Sequence, residues 1–380
     1  MRYDLTDKQK KALEIMGERY KAKSPLTVIT GYAGSGKSTI IAQFIRDNNL
    51  HDTTSFATFT GKASLILQKQ GLPATTIHSL VYNAYRDYKT GRFYFRKKPE
   101  LDKLTDLIIV DEISMVPEDL LNDLLSFNVP IIALGDPFQL EPVGKDNGIM
   151  EKPHFFLDEI HRQEENSMIV KVSKMIRQGA PLDNIEDNKE VKIIYRDSLT
   201  PPMLSWADQI ICGKNSTRLK INEEIRARLG FTKETPEVGD KMICLRNYWD
   251  TLNEDGFPLI NGTLGTVKQI SEGGRYGILG QRLSMDFLPD YSDFPFEHLI
   301  LDSNIFFNYA PSEYKKNSKN RLYEFDFGYA ITCHKSQGSQ FDKVLVYEER
   351  LGSDNYSHAR WLYTAITRAK SKLVLVRERS

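Results

Sequence analysis

The chain has 380 residues, enough for more than one hydrophobic core, because single cores seldom grow past about 250 to 300 residues. Hydrophobic residues make up 40% and charged residues 27%, which excludes a wholly disordered chain. Lys plus Arg and Asp plus Glu each number 51, so a polyanionic partner would have to be met by a local groove and not by net charge.

Residues 6 to 22 read as a capped amphipathic helix, with Thr6 or Asp7 ahead of Leu13, Ile15 and Met16. LTVIT, a glycine loop and IIAQFIRDNN then form a strand, loop and helix unit. TSFATFT, DLIIVDE and VPIIALGD are further short apolar runs of the buried-strand kind, and their helical spacing predicts a wound parallel sheet. In EENSMIVKVSKMIRQG, Met168, Ile169, Val172, Met175 and Ile176 share a helical face and Gly179 ends it; this helix is expected to close the first domain. A second α/β pattern follows in VKIIY, QIICGKN and STRLKINEEIRARLG. Residues 239 to 322 break it with short β-like runs and turn signals such as NEDG, NGTLG and EGGRYG, and read as an inserted small β-barrel. The wound pattern is expected to resume at FDFGYAITCHKSQG and to end in KLVLVRE. Cys212, Cys244 and Cys333 are far apart and show no CxxC spacing, which argues against a disulfide framework or zinc site. No run approaches the ~18 apolar residues of a membrane span, so no membrane partner and a cytoplasmic location are expected.

GYAGSGKST, Gly31 to Thr39, fits GxxxxGKS in the strand-to-helix setting that spacing requires. Its glycines let backbone amides close around phosphates, the helix start favours negative charge, Lys37 reaches the outer phosphates and Ser38 can ligand magnesium. Gly34, Ser35, Gly36, Lys37, Ser38 and Thr39 are therefore the candidate ATP contacts. In LIIVDE four apolar residues deliver Asp111 to a strand end, where it can hold Mg2+ through water, and Glu112 is placed to orient or deprotonate the attacking water.

LGDPFQLEPVG (134 to 144), YAITCHKSQGSQFDKV (329 to 344) and LYTAITRAK (362 to 370), with DKQ near the start and VDEISM, resemble the ordered motifs of superfamily 1 helicases of the RecD and phage Dda branch. The resemblance covers about residues 5 to 376 and is weakest in 180 to 325. It implies two RecA-like parallel-sheet domains in tandem, 1–180 and 181–238 plus 323–380. A β-hairpin insertion at about 81–103 and an SH3-like β-barrel at 239–322 complete the expected architecture. Gln9 resembles the glutamine that reads the adenine edge and Gln139 the γ-phosphate sensor. Arg162, in EIHRQ, and Arg368, in AITRAK, resemble two arginines offered to the γ-phosphate when the cleft closes.

TFTGKAS, ATTIHSL and TCHKSQG resemble the DNA motifs, which implies single-strand contacts from Thr60, Lys62, Thr76, His78, Thr332, His334 and Lys335. Phe59 stands where relatives usually have proline, and Gln340 where many have a ribose-contacting glutamate. AYRDYKTGRFYFRKKPELDK resembles the hairpin that serves as a pin at the duplex fork, turning at Thr90 and Gly91 and carrying Phe93, Tyr94 and Phe95; an ordinary surface hairpin is the other reading. The basic run 314 to 321 is a DNA-bordering segment or a solvated linker.

The implied function is an ATP- and Mg2+-dependent motor acting on single-stranded and tailed duplex DNA, with 5′-to-3′ direction carried by the resemblance alone. It would work as a monomer in a bacterial or phage-infected cell, alongside single-strand-binding or replication and recombination proteins. Without the long N-terminal extension of the larger RecD-like proteins, a compact enzyme of the Dda type is expected. Two rivals stay open: a small-molecule P-loop kinase, and a single-strand-stimulated ATPase that remodels protein–DNA complexes or drives a RecD-type nuclease complex without unwinding alone.

Overall fold

The computed structural model describes residues 5–69, 71–86, 93–102, 104–141, 147–159, 167–182, 185, 188–273, 282–307, 322–352 and 354–379. The helix Asp7–Lys21 opens with a reciprocal cap, Thr6 Oγ1 accepting from Gln9 N while the Gln9 side chain accepts from Thr6 N. The strands that follow are β1 Leu26–Gly31, β2 Thr54–Thr58, β3 Ala74–Thr76, β4 Tyr82–Arg86, β5 Phe93–Lys97, β6 Leu107–Asp111, β7 Ile131–Gly135 and β8 Phe155–Leu157. All but β4 and β5 form one parallel sheet in the order β3-β2-β6-β7-β1-β8. Its central strands are buried almost throughout, and β6 and β7 are mostly apolar, as in a sheet covered on both faces. With β7 between β1 and β6, the carboxyl ends of three strands bring the glycine loop, Asp136 and Asp111 side by side, where open α/β sheets bind ligands.

β4 and β5 form a separate antiparallel hairpin in the register Tyr82↔Lys97 to Arg86↔Phe93. Its turn at Thr90 and Gly91, and the Phe93 side chain, lie outside the described residues.

β9 Val191–Tyr195 and β10 Gln209–Cys212 belong to a second parallel sheet. The chain then leaves it through β11 Lys241–Cys244, a small hairpin of β12 Tyr248–Leu252 and β13 Pro258–Leu259, β14 Leu264–Gly273, β15 Arg282–Pro289, β16 Phe296–Asp302 and β17 Phe325–Phe327. It returns with β18 Ala330–Thr332, β19 Phe341–Tyr347 and β20 Ala369–Arg377, giving the parallel order β18-β10-β19-β20-β9. The intervening strands pair antiparallel as β16-β15-β14-β11-β17, and a backbone bond from Tyr323 N to Ile300 O at 2.8 Å joins the two edges.

Two boundaries differ from the sequence reading. The helix Met168–Arg177 does not close the first domain: Ile169, Val172 and Ile176 enter the core of the second sheet, with Ile211, Val344, Trp361 and Leu375. The wound pattern resumes at β18 and not at Phe325, because Phe325 and Phe327 pack among Met242, Phe287 and Leu301 in the core of the inserted sheet.

The insertion is rooted on the second sheet by a buried ion pair. Asp240, fully buried, accepts from Arg226 Nε and Nη2 at 2.9 Å each, from the Tyr329 hydroxyl at 3.0 Å and from Glu237 N at 2.8 Å. Arg226 also donates to Lys233 O and Thr235 O. Because the Asp240 carboxylate accepts four hydrogen bonds, two of them from Arg226, removing one member strands the others. Asp240→Ala should lower stability by about 3 to 5 kcal/mol, read as a shifted midpoint in urea unfolding, whereas an unchanged midpoint would mean that the pair does not tie insertion to sheet.

Candidate active site in the cleft between the two sheets

Gly34 and Gly36 adopt positive φ, +81° and +79°, as the helix Lys37–Asp47 begins. A Cβ on Gly36 would lie 2.3 Å from Gln9 Nε2, so only glycine fits. No side chain caps this helix, which leaves its first amides available to an anion. Lys37 Nζ folds back to donate to Gly31 O at 2.7 Å and Tyr32 O at 3.0 Å. Ser38 is exposed, Thr39 half-buried, and Ser35 Oγ is buried without a partner among the described residues. Gln9 is buried and uses both ends of its amide, accepting from Thr6 N and donating to Ser35 O at 3.2 Å. Its second Nε2 hydrogen and second Oε1 lone pair are left to meet a base edge.

β6 carries Asp111 to the mouth of the same cleft, where its Oδ1 accepts from Glu112 N at 2.9 Å. Burial raises the Asp111 pKa while Lys37 pulls it back. Glu112 sits at φ +57°, a left-handed backbone that a non-glycine residue adopts at a cost. Its Oε2 is buried and meets no hydrogen-bond donor among the described residues. Burial pushes the Glu112 carboxyl up to about 7, opposed by the charge of Arg368 and reinforced by that of Asp111. Among the described residues no three His, Cys, Asp or Glu side chains gather into a protein-built metal cage; a hydroxyl and a carboxylate beside a phosphate loop are instead the donor set magnesium takes.

The second sheet contributes through the helix Asn355–Ile366 and the residues after it. Arg368 is buried and is held by Thr364 O at 3.0 Å, Thr367 Oγ1 at 3.3 Å and Ser339 O at 3.4 Å. Gln139 is buried with its Oε1 unpartnered among the described residues, and its backbone oxygen accepts from Arg360 Nε at 3.0 Å. Leu140 N donates to Thr364 Oγ1 at 3.0 Å. The structure thus brings Lys37, Asp111, Glu112, Gln139 and Arg368 to one cleft; Arg162 lies outside the described residues. The sequence reading missed Asp136, Arg177, Arg360 and Tyr363. Asp136 had a signal, since it ends an apolar strand as Asp111 does. Arg177, whose guanidinium lies 3.2 Å from the centre of the Tyr32 ring, had none, because its contact is with a residue remote in sequence.

Of the proposed DNA residues, Thr60, Lys62, Thr76 and Lys335 lie along a seam where the two sheets meet the insertion. Gly338, at φ +70°, lies so close to Thr60 that a Cβ there would stand 2.9 Å from Oγ1. Lys62 Nζ is 5.2 Å from the Phe341 ring centre, and burial pushes its pKa down to about 8. Lys335 Nζ donates to Asn261 Oδ1 in the insertion at 2.9 Å. His78 and His334 are solvent-facing, and Thr332 is half-buried at the end of β18. The Thr76 hydroxyl is engaged as a helix cap, accepting from Ser79 N and donating to Ser79 Oγ.

Residues 4–196 match the family model described as an AAA domain, and residues 327–376 match that of the UvrD-like helicase C-terminal domain. The ATP-dependent DNA helicase Dda of Enterobacteria phage T4 is 25% identical over 97% of this chain and 98% of its own length. The chain belongs to the Pif1, RecD and Dda-like group of superfamily 1 helicases, through its AAA domain. The RecD2 helicase of Deinococcus radiodurans is 26% identical over 91% of this chain, and an uncharacterised protein of Methanocaldococcus jannaschii 24% over 98%. This superfamily 1 chain spans only 46% and 38% of those two proteins. A Pif1 helicase structure from Bacteroides, in complex with ADP-AlF3 and single-stranded DNA, superposes with a TM-score of 0.59 at 19% identity, covering 100% of this chain and 94% of that one. A structure of two coordinating Pif1 helicases at forked DNA gives 0.61 at 20%, covering 100% and 93%. These likenesses give the fold: two RecA-like domains. No helix among the described residues is long and apolar enough to cross a membrane.

Lys37→Ala should abolish ATP hydrolysis and leave single-strand binding near wild type, because Nζ touches only the glycine loop. Glu112→Gln should still bind ATP but turn over about 10² to 10⁴ times more slowly. Steady-state ATPase and nucleotide-binding titrations check both; wild-type turnover in either variant would take that residue out of the site.

Proposed function

We infer that the protein is an ATP-driven motor that tracks single-stranded DNA and separates duplex, in the 5′-to-3′ direction. The observation that carries this reading is that one pair of sheets frames both sites. Lys37 and Glu112 face Arg368 across the nucleotide cleft, while Thr60 and Lys62 meet Gly338 and Phe341 along the seam. Closing and opening of the cleft therefore moves the two halves of the seam against each other. Full-length similarity to Dda, and the single-stranded and forked DNA named for the Pif1 structures, support DNA as the partner.

Lys37 would neutralise the outer phosphates, Glu112 would take the proton of the attacking water, and Arg368 would stabilise charge developing on the transferred phosphoryl group. Ser38 and Asp111 would hold magnesium, whose chemistry is to screen phosphate charge. Gln139, bonded through its backbone to the second sheet, would report the state of the outer phosphate to the seam. A duplex with a 5′ tail should be separated in ATP and Mg2+, and one with only a 3′ tail should not. Separation of the 3′-tailed duplex alone would reverse the direction, and separation of neither would leave a translocase.

The hairpin of β4 and β5 supports the unwinding half of the reading. Tyr85 and Tyr94 stack at 5.6 Å with Arg96 over both rings, and Phe95 is 57% exposed. Stacking of a base on an aromatic ring is worth roughly 1 to 3 kcal/mol, comparable to about 1.4 kcal/mol for opening a base-pair step. Replacing Tyr94 and Phe95 by alanine should sharply reduce strand separation while DNA-stimulated ATPase stays near wild type; loss of both activities would make the hairpin part of the groove.

A further inference from the structure

The helix Asn355–Ile366 carries a tyrosine that touches both halves of the first sheet's nucleotide machinery. Tyr363 is fully buried. Its hydroxyl accepts from Ala33 N at 3.0 Å and donates to Asp136 Oδ2 at 2.6 Å. Ala33 lies in the phosphate loop, and Asp136 begins the turn that ends at Gln139, closed by Gln139 N bonding to Asp136 O at 3.2 Å. The other Asp136 oxygen accepts from Phe138 N at 3.0 Å, and the Phe138 ring meets that of Tyr363 edge-on at 5.3 Å. Arg177 adds a cation between Tyr32 and Tyr363, 3.2 Å and 5.9 Å from the ring centres. A hydroxyl bonded to a carboxylate makes a charge-assisted hydrogen bond, the stronger class. Burial and the charge of Asp136 raise the Tyr363 pKa well above the ordinary phenol value, so the group remains a donor throughout the neutral range.

We propose that Tyr363 is a positioning residue for ATP hydrolysis, locking the phosphate loop to the Asp136–Gln139 turn when the sheets close and so setting Arg368 in place. The proposal rests on the reading of the chain as an ATP-driven motor. Its neighbours on the same helix act on the same turn: Arg360 donates to Gln139 O, Thr364 Oγ1 accepts from Leu140 N, and Arg368 Nε donates back to Thr364 O. Of these residues of the helix, Tyr363 is the one whose hydrogen bond reaches the phosphate loop itself. Ala33 precedes Gly34–Thr39, the amides that would face phosphate, so losing its bond leaves nucleotide binding on the first sheet intact. What is lost is the registration of the second sheet, where Arg368 resides. The defect therefore falls on turnover and not on affinity.

Tyr363→Phe keeps the ring and removes the hydroxyl. In saturating single-stranded DNA, ATP and magnesium, kcat should fall about tenfold to a hundredfold, the scale of a lost hydrogen bond to a charged partner, with KM for ATP, single-strand Kd and the thermal midpoint close to wild type. Asp136→Asn should show the same split, and the double variant should be no slower than the slower single one, because both changes break a shared contact. Wild-type kcat in Tyr363→Phe overturns the proposal. So does a loss that appears as raised KM, that tracks a lowered thermal midpoint, or that adds fully in the double variant, each of which makes Tyr363 a packing residue. Wild-type protein without DNA-stimulated hydrolysis would instead remove the motor reading beneath it.

Discussion

Glu112 holds a carboxyl whose Oε2 is buried and meets no hydrogen-bond donor among the described residues, and a charge so placed is costly unless an opposite charge stands near. Arg368 is such a charge from the other sheet, and it is itself fixed by three bonds to its own domain. A buried carboxylate on one domain and a cation on the other thus face each other across the cleft. On the proposed motor reading, hydrolysis would then depend on domain position.

The strand order of the first sheet converts that condition into geometry. β7 lies between β1 and β6, so the phosphate loop, Asp136 and Asp111 share one edge, and the turn after β7 is the element both to contact the second sheet's helix and to carry Gln139. Across the molecule, Thr60 and Lys62 follow β2 and meet residues that follow β18. The buried Arg226–Asp240 pair ties the insertion to the second sheet, and Lys335, also on that side, hydrogen-bonds to Asn261 in the insertion.

Features that depend on local spacing were legible in the sequence. The glycine loop was readable because positive φ at Gly34 and Gly36 demands glycine, and the buried strands because a parallel sheet covered on both faces leaves uninterrupted apolar runs. Features that depend on partner choice were not. Amphipathicity gave the helix Met168–Arg177 a correct apolar face but could not say which sheet would bury it. Phe325 and Phe327 look like a returning strand, and their alternation fits the inserted sheet equally well. Tyr363 lies 330 positions from Ala33 and 227 from Asp136, so its role is set by tertiary contact alone.

The central claim is that the site is assembled by closure of the cleft. The three native cysteines are buried, so cysteines introduced at exposed His51 and Lys370 can be labelled with a donor and acceptor dye. Distance between the dyes should take one value with ADP–aluminium fluoride and single-stranded DNA and a different one with ADP or no nucleotide, and Lys37→Ala should abolish the change. A separation unmoved by nucleotide and DNA would contradict the account.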